Sequence, residues 1–135
     1  MVTHNPIKLY IAIVLLATSC NWILGVKKLG KRIYWDDKVI VVSTTDKYEG
    51  IGYDIIPPTI KKVNKDESFV IVQTLNGKNQ IRYWLIDKTM EAEQLNHVKE
   101  DSAYGGYYKY SNVYGPLDSS DFINLKTEKG VKIDW

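Results

Sequence analysis

The sequence is poor in the residues that most often carry chemistry. Its 135 residues include one cysteine, Cys20, and two histidines, His4 and His97. A lone cysteine excludes an internal disulfide, so a folded domain here is held by its core alone. It excludes Cys-rich zinc sites as well. No glycine-rich phosphate loop precedes a helical pattern, and Ser102, Ser111, Ser119 and Ser120 lack the setting of a nucleophile elbow. Long apolar runs are also missing. The longest near the start, Leu9 to Ala17, is far short of the ~20 residues that a membrane-spanning helix needs.

What stands around that short run gives it a meaning. Lys8 and His4 precede it, and the small residues Thr18 and Ser19 lead into Cys20, which is the layout of a secretory signal. The segment Leu16-Ala17-Thr18-Ser19-Cys20 resembles the lipobox of bacterial lipoproteins. That resemblance implies cleavage before Cys20 and a diacylglycerol thioether on its sulfur, with further acyl chains such as palmitate. Leu16 stands four residues before the cysteine, where the lipobox usually has leucine three before, and Ser19 replaces the commoner Gly or Ala. An uncleaved anchor from Ile7 to Val26 is the alternative, and the polar residues Thr18, Ser19 and Asn21 inside it argue against it. Acylation accounts for an odd cysteine in an exported protein and withdraws the thiol from Cys-His catalysis. The expected organisation is therefore a signal peptide over 1–19, a tether over 20–30 and a globular domain over 31–135, held outside the cytoplasm on a bacterial envelope membrane.

Removal of residues 1–19 takes away only Lys8 and leaves 17 basic and 16 acidic residues, a net of +1. That balance predicts no nucleic-acid partner. Lys27, Lys28, Lys31 and Arg32 nonetheless cluster just after the anchor, where they either lie against anionic head groups or form an ordinary solvated edge.

The remaining chain reads as α+β: one small domain, an antiparallel sheet of about four to six strands with two short helices. Arg32 to Trp35 and Val39 to Thr44 flank a turn at Asp36 and Asp37, and Thr59 to Val63, with Lys61 and Lys62, has the look of a charged edge strand. Ser68 to Leu75 and Gln80 to Asp87 enclose Asn76-Gly77 and form the clearest hairpin. In it Phe69, Ile71 and Leu75 oppose Val70 and Val72, while Ile81, Tyr83 and Leu85 oppose Trp84 and Ile86. Strands apolar on both faces belong inside a covered sheet. One helix is expected over Thr89 to Lys99, from Ala92, Leu95 and Val98 at spacing three. A second begins at an Asp118 or Ser119 cap, docks Phe122 and Leu125, and stops at Gly130. Val131 to Trp135 reads as a last strand. The segments Tyr83-Trp84-Leu85-Ile86-Asp87 and Gly115-Pro116-Leu117, the latter before an acidic helix, resemble a family of small uncharacterised bacterial proteins, many of them predicted lipoproteins. The resemblance implies one compact domain and carries no activity.

Candidate sites are few. Glu93 and His97 have the i, i+4 spacing of metal ligands, but two ligands without a third make a poor site. No metal or cofactor is expected. The unusual segment is Tyr104 to Tyr114, where Tyr104, Tyr107, Tyr108, Tyr110 and Tyr114 mix with Gly, Ser and Asn. Tyrosine offers large amphipathic area at low entropic cost, so this composition suits a surface for an envelope protein or a glycan. A half-buried strand explains alternate tyrosines equally simply. The expected function is noncatalytic binding at the membrane. An inhibitor or immunity-type lipoprotein is one alternative, and a hydrolase with two carboxylates roughly 5 to 10 Å apart in a cleft is the other.

Overall fold

The structure, a computed structural model, describes residues 26–99 and 106–135. Cys20, the leader and Tyr104 lie outside the described residues. Ten strands run in the order β1 (Val26–Gly30), β2 (Ile33–Asp36), β3 (Val39–Ser43), β4 (Gly52–Ile56), β5 (Ile60–Lys65), β6 (Phe69–Leu75), β7 (Ile81–Asp87), β8 (Gln94–Val98), β9 (Tyr107–Tyr110) and β10 (Val113–Leu117). A single described helix, α1 (Ser119–Lys129), follows them. The first four strands form one antiparallel sheet in chain order. The second sheet has the order β10-β7-β6-β5, and β8 pairs with β9 in a separate ribbon.

The predicted hairpin is the centre of the second sheet. β6 and β7 pair along their whole length, with Val70 opposite Ile86, Ile71 opposite Leu85 and Val72 opposite Trp84. Alternation then sends the two sets to different layers. Val70, Val72, Trp84 and Ile86 meet Ile40, Ile55 and Ile56 of the first sheet and Tyr107 of the ribbon in the main core. Ile71 and Leu85 form a second cluster with Phe122 of α1 and with Val131. Both faces of these strands are covered, which is why their sequences are apolar on both faces.

Polar side chains set the connections. Asn76 Oδ1 accepts from the N–H groups of Lys78 and Gln80, both at 2.9 Å, and Asn79 takes the positive φ of 56° in a loop longer than the two-residue turn. Asp66 Oδ1 accepts from Ser68 N at 2.8 Å and Phe69 N at 2.7 Å, closing the β5–β6 turn. Asp36 ends β2, so the next turn falls on Asp37 and Lys38, one residue later than expected.

α1 has the predicted punctuation. Asp118 is its N-cap and accepts from Asp121 N at 2.7 Å, and Gly130 closes it with φ 68°. Phe122 stacks on Tyr83 at 4.9 Å, and half-buried Leu125 packs beside it. At the other end, Lys129 Nζ lies 3.6 Å from a carboxylate oxygen of Asp87 at the end of β7. Asp87 is only 5 % exposed. Burial works against its charge, but the Thr89 hydroxyl at 2.6 Å, the Thr89 N–H at 2.9 Å and Lys129 together outweigh that and hold its pKa below the usual carboxylate value. A depressed carboxylate pKa stabilises the fold above the unfolded value of about 4 and loses that contribution as pH falls through the folded value. Denaturant unfolding is therefore expected to show a loss of stability below about pH 4 that is smaller in Asp87→Asn, while the variant costs about 1–3 kcal/mol at pH 7.

Four expectations are corrected. Thr89 to Lys99 is not a helix: Gln94–Val98 is strand β8, so the described residues hold one helix. The apolar spacing misleads because Ala92 and Leu95 are exposed, Leu95 at 52 %, and only Val98 packs on the core. Pairing with β9 wins over local helical preference, with Val98 opposite Tyr107 and His97 opposite Tyr108. The strand count exceeds four to six because the chain folds into two sheets and a ribbon rather than one sheet. Val131 to Trp135 is not a strand; Val131 is buried under the second sheet and Trp135 faces Phe122 at 6.1 Å. The folded part also reaches back into the expected tether, since Val26–Gly30 pairs with β2.

Candidate functional site

A cleft of about 730 Å³ lies where the first sheet, the β7–β8 connection and the end of β9 meet. Its walls come from distant parts of the chain: Arg32 before β2, Ser43 and Thr44 at the end of β3, Tyr53 on β4, Lys88, Met90, Glu91 and Ala92 after β7, and Tyr110 with Asn112. Ser111 fixes one wall, since its Oγ accepts from Glu93 N at 2.9 Å and its N–H donates to Glu93 O at 2.8 Å. Asn112 fixes another by donating through Nδ2 to Asp87 O at 3.2 Å.

Tyr110 is the most informative residue of this wall. Its side chain is only 8 % exposed and belongs to the main core. Its hydroxyl makes no hydrogen bond among the described residues, and no fully buried side-chain polar atom there lacks a partner, so the oxygen keeps some contact with solvent. Burial raises its pKa, with Tyr53 and Tyr108 adding to the effect. A phenol fixed by a packed ring and offered neutral to a cleft is a ready donor and acceptor.

Beside it lies an aromatic shelf. Tyr53, 39 % exposed, meets the half-buried Tyr108 edge-on at 4.9 Å, and Tyr108 meets the exposed His97 at 4.7 Å. This row crosses β4, β9 and β8.

Among the described residues the cleft is lined by three cations, Lys31, Arg32 and Lys88, and one carboxylate, Glu91. Arg32 pairs with Asp46 at 3.1 Å, and both are exposed. Lys88 points its ammonium at the main-chain oxygens of Leu29, at 3.2 Å, and Asp66. Burial lowers its pKa and Lys65 adds to the effect, against Asp66 and Glu67.

Of the five tyrosines singled out from sequence, the four described ones lie in different surroundings. Tyr107 is buried edge-on against Trp84 at 5.4 Å. Tyr108 and Tyr110 lie at the shelf and the cleft. Tyr114 is half-buried in the helix-side cluster, with its hydroxyl on Met90 Sδ at 3.4 Å and Lys129 Nζ 4.5 Å from its ring. Glu93 and His97 are both exposed, and among the described residues no group of three metal-ligating side chains comes together.

Sequence reasoning missed Tyr53. It joins the site because β9 runs beside β4, a contact between strands more than fifty residues apart that no local pattern signals. It also missed the pairing of Asp36 with Asp54 on the outer face of the first sheet, where Tyr48 folds over Tyr34 at 5.1 Å and donates to Asp36 Oδ2. Burial and then Asp36 raise the Asp54 pKa, and burial, the Asp36 hydrogen bond and the neighbouring carboxylates push Tyr48 up to about 12. Neither carboxylate lines the cleft.

No family model, curated protein or solved structure matches this chain. Among the described residues no helix is long and apolar enough to cross a membrane.

Proposed function

We propose that this protein is a lipid-anchored envelope protein that binds a partner without catalysis, through the cleft beside Tyr110. Lipid on Cys20 holds it to a bacterial membrane, outside the cytoplasm, and the partner is an envelope polysaccharide or protein. The observation that carries the binding half is Tyr110, a buried ring in the wall of the cleft whose hydroxyl has no hydrogen-bond partner among the described residues. Groups that serve only the fold find partners inside it, as Trp84 does in donating to Thr74 Oγ1 at 3.0 Å. Tyr53 and Tyr108 add aromatic faces next to that hydroxyl, a surface on which sugar rings or apolar side chains stack. Among the described residues one carboxylate lines the cleft, which fits binding better than acid–base hydrolysis, which uses two.

Tyr110→Phe is the test. The variant removes an oxygen that has no internal partner, so its melting temperature is expected to match the parent. Sedimentation with purified envelope polysaccharide, and cross-linking to envelope proteins, are expected to show binding weakened about 3- to 10-fold, the worth of one hydrogen bond. Unchanged binding in both assays would remove the cleft from the proposal.

A further inference from the structure

We propose that the seam between β1 and β5 is a membrane-facing surface that rests on anionic phospholipid head groups. β1 is the outer strand of the first sheet and β5 the outer strand of the second. They approach each other where Lys65 Nζ donates to Lys28 O at 2.9 Å. Between them runs a shallow groove of about 420 Å³ in which the charged lining residues are Lys27, Lys28 and Lys65, with no carboxylate among them. Lys61 and Lys62 stand on the same edge strand and are exposed. None of these five lysines forms an ion pair among the described residues, whereas Arg32, Lys126 and Lys129 all do.

Charged edges have a plain use, because lysines discourage unwanted strand pairing. The floor of the groove asks for more. Half-buried Trp35 lines it, with Lys27 Nζ 5.4 Å from the ring and the indole N–H donated to Asp37 O at 2.8 Å. An indole flanked by long lysine stems is the side-chain set of a membrane interface: the ring sits at head-group level and the ammonium groups reach the phosphates. Each lysine near an anionic surface strengthens binding about fivefold, and the attraction fades within about 8 Å at physiological salt.

The place of the seam in the chain fixes its occupant. β1 starts at Val26, so five residues separate it from Cys20, and a chain that short spans at most about 20 Å. This inference rests on the reading that Cys20 ties the chain to a bilayer, since the tie brings the β1 edge within reach of head groups. With that edge down, the ligand cleft draws its walls from other strands.

The test uses the full chain reconstituted into vesicles, either phosphatidylcholine alone or phosphatidylcholine with one quarter phosphatidylglycerol. Lysines are acetylated by a water-soluble reagent and read peptide by peptide. Each lysine is compared with itself between the two lipids, which cancels intrinsic reactivity. Lys27, Lys28, Lys61, Lys62 and Lys65 are expected to react about fivefold more slowly on the anionic vesicles, with the difference lost in high salt. Lys78, Lys109 and Lys132 are expected to show no difference. In Lys27→Gln/Lys28→Gln the protection of Lys61, Lys62 and Lys65 is expected to fall. Equal rates in the two lipids, or protection centred on Lys78, Lys109 or Lys132, would overturn the proposal. The intact mass of the same sample reports separately on lipid at Cys20, so failure of the anchor is distinguishable from failure of the lysine surface.

Discussion

Replacing Trp84 by Ala is expected to lower the unfolding free energy by about 4 kcal/mol. The ring is 2 % exposed at the meeting point of both sheets and the ribbon, and truncating a buried aromatic side chain costs about 3–5 kcal/mol in lost contacts and cavity. The hydroxyl of Thr74, itself buried, also loses the indole donor. Against a total of about 5–15 kcal/mol for a domain, that loss leaves little margin. Trp84→Phe separates the two contributions, because it keeps most of the packing and removes only the donor and part of the ring; about 1–2 kcal/mol is expected. Urea unfolding followed by circular dichroism measures both. A cost below about 1 kcal/mol for the alanine variant would mean that the two sheets do not share the core described here.

Gly115→Ala is expected to be nearly as damaging, and for a reason set by the same indole. Gly115 has φ 142°, a conformation that side chains avoid. A methyl group there would lie 2.6 Å from Trp84 Cε3 and 3.0 Å from Tyr83 O. The indole is locked by packing and by its hydrogen bond, so it has nowhere to move. Backbone strain and overpacking together suggest a loss of about 3 kcal/mol, or roughly 15 °C in melting temperature. If the ring is the obstacle, combining Gly115→Ala with Trp84→Phe will cost less than the sum of the two single changes. Strict additivity would place the obstacle in the backbone alone.

Gly115 shows how a short motif becomes physical. The Gly-Pro-Leu segment is unremarkable as sequence, yet its glycine is required by Trp84, far earlier in the chain.

Local patterns were informative wherever one element decided the outcome. The β6–β7 hairpin and its two faces followed from apolar residues on both sides, and α1 followed from Asp118, Phe122 and Gly130. They failed where a distant partner decided. Gln94 to Val98 has no strong strand signal of its own and becomes β8 because β9 pairs with it. The tyrosine segment was legible as unusual, but one sequence cannot tell Tyr107, packed on Trp84 in the core, from Tyr110, whose buried ring also lines the cleft. Tyr53 carried no signal, since its role depends on β9 lying beside β4.

The proposed lipid on Cys20 would link the fold to its place of work, and one measurement tests it most directly: the mass of the N-terminal peptide of the protein extracted from membranes. The account predicts a chain that begins at Cys20 and carries a diacylglycerol thioether, and a Cys20→Ala variant that loses the lipid. A peptide that begins at Met1 and retains a free Cys20 thiol would contradict it.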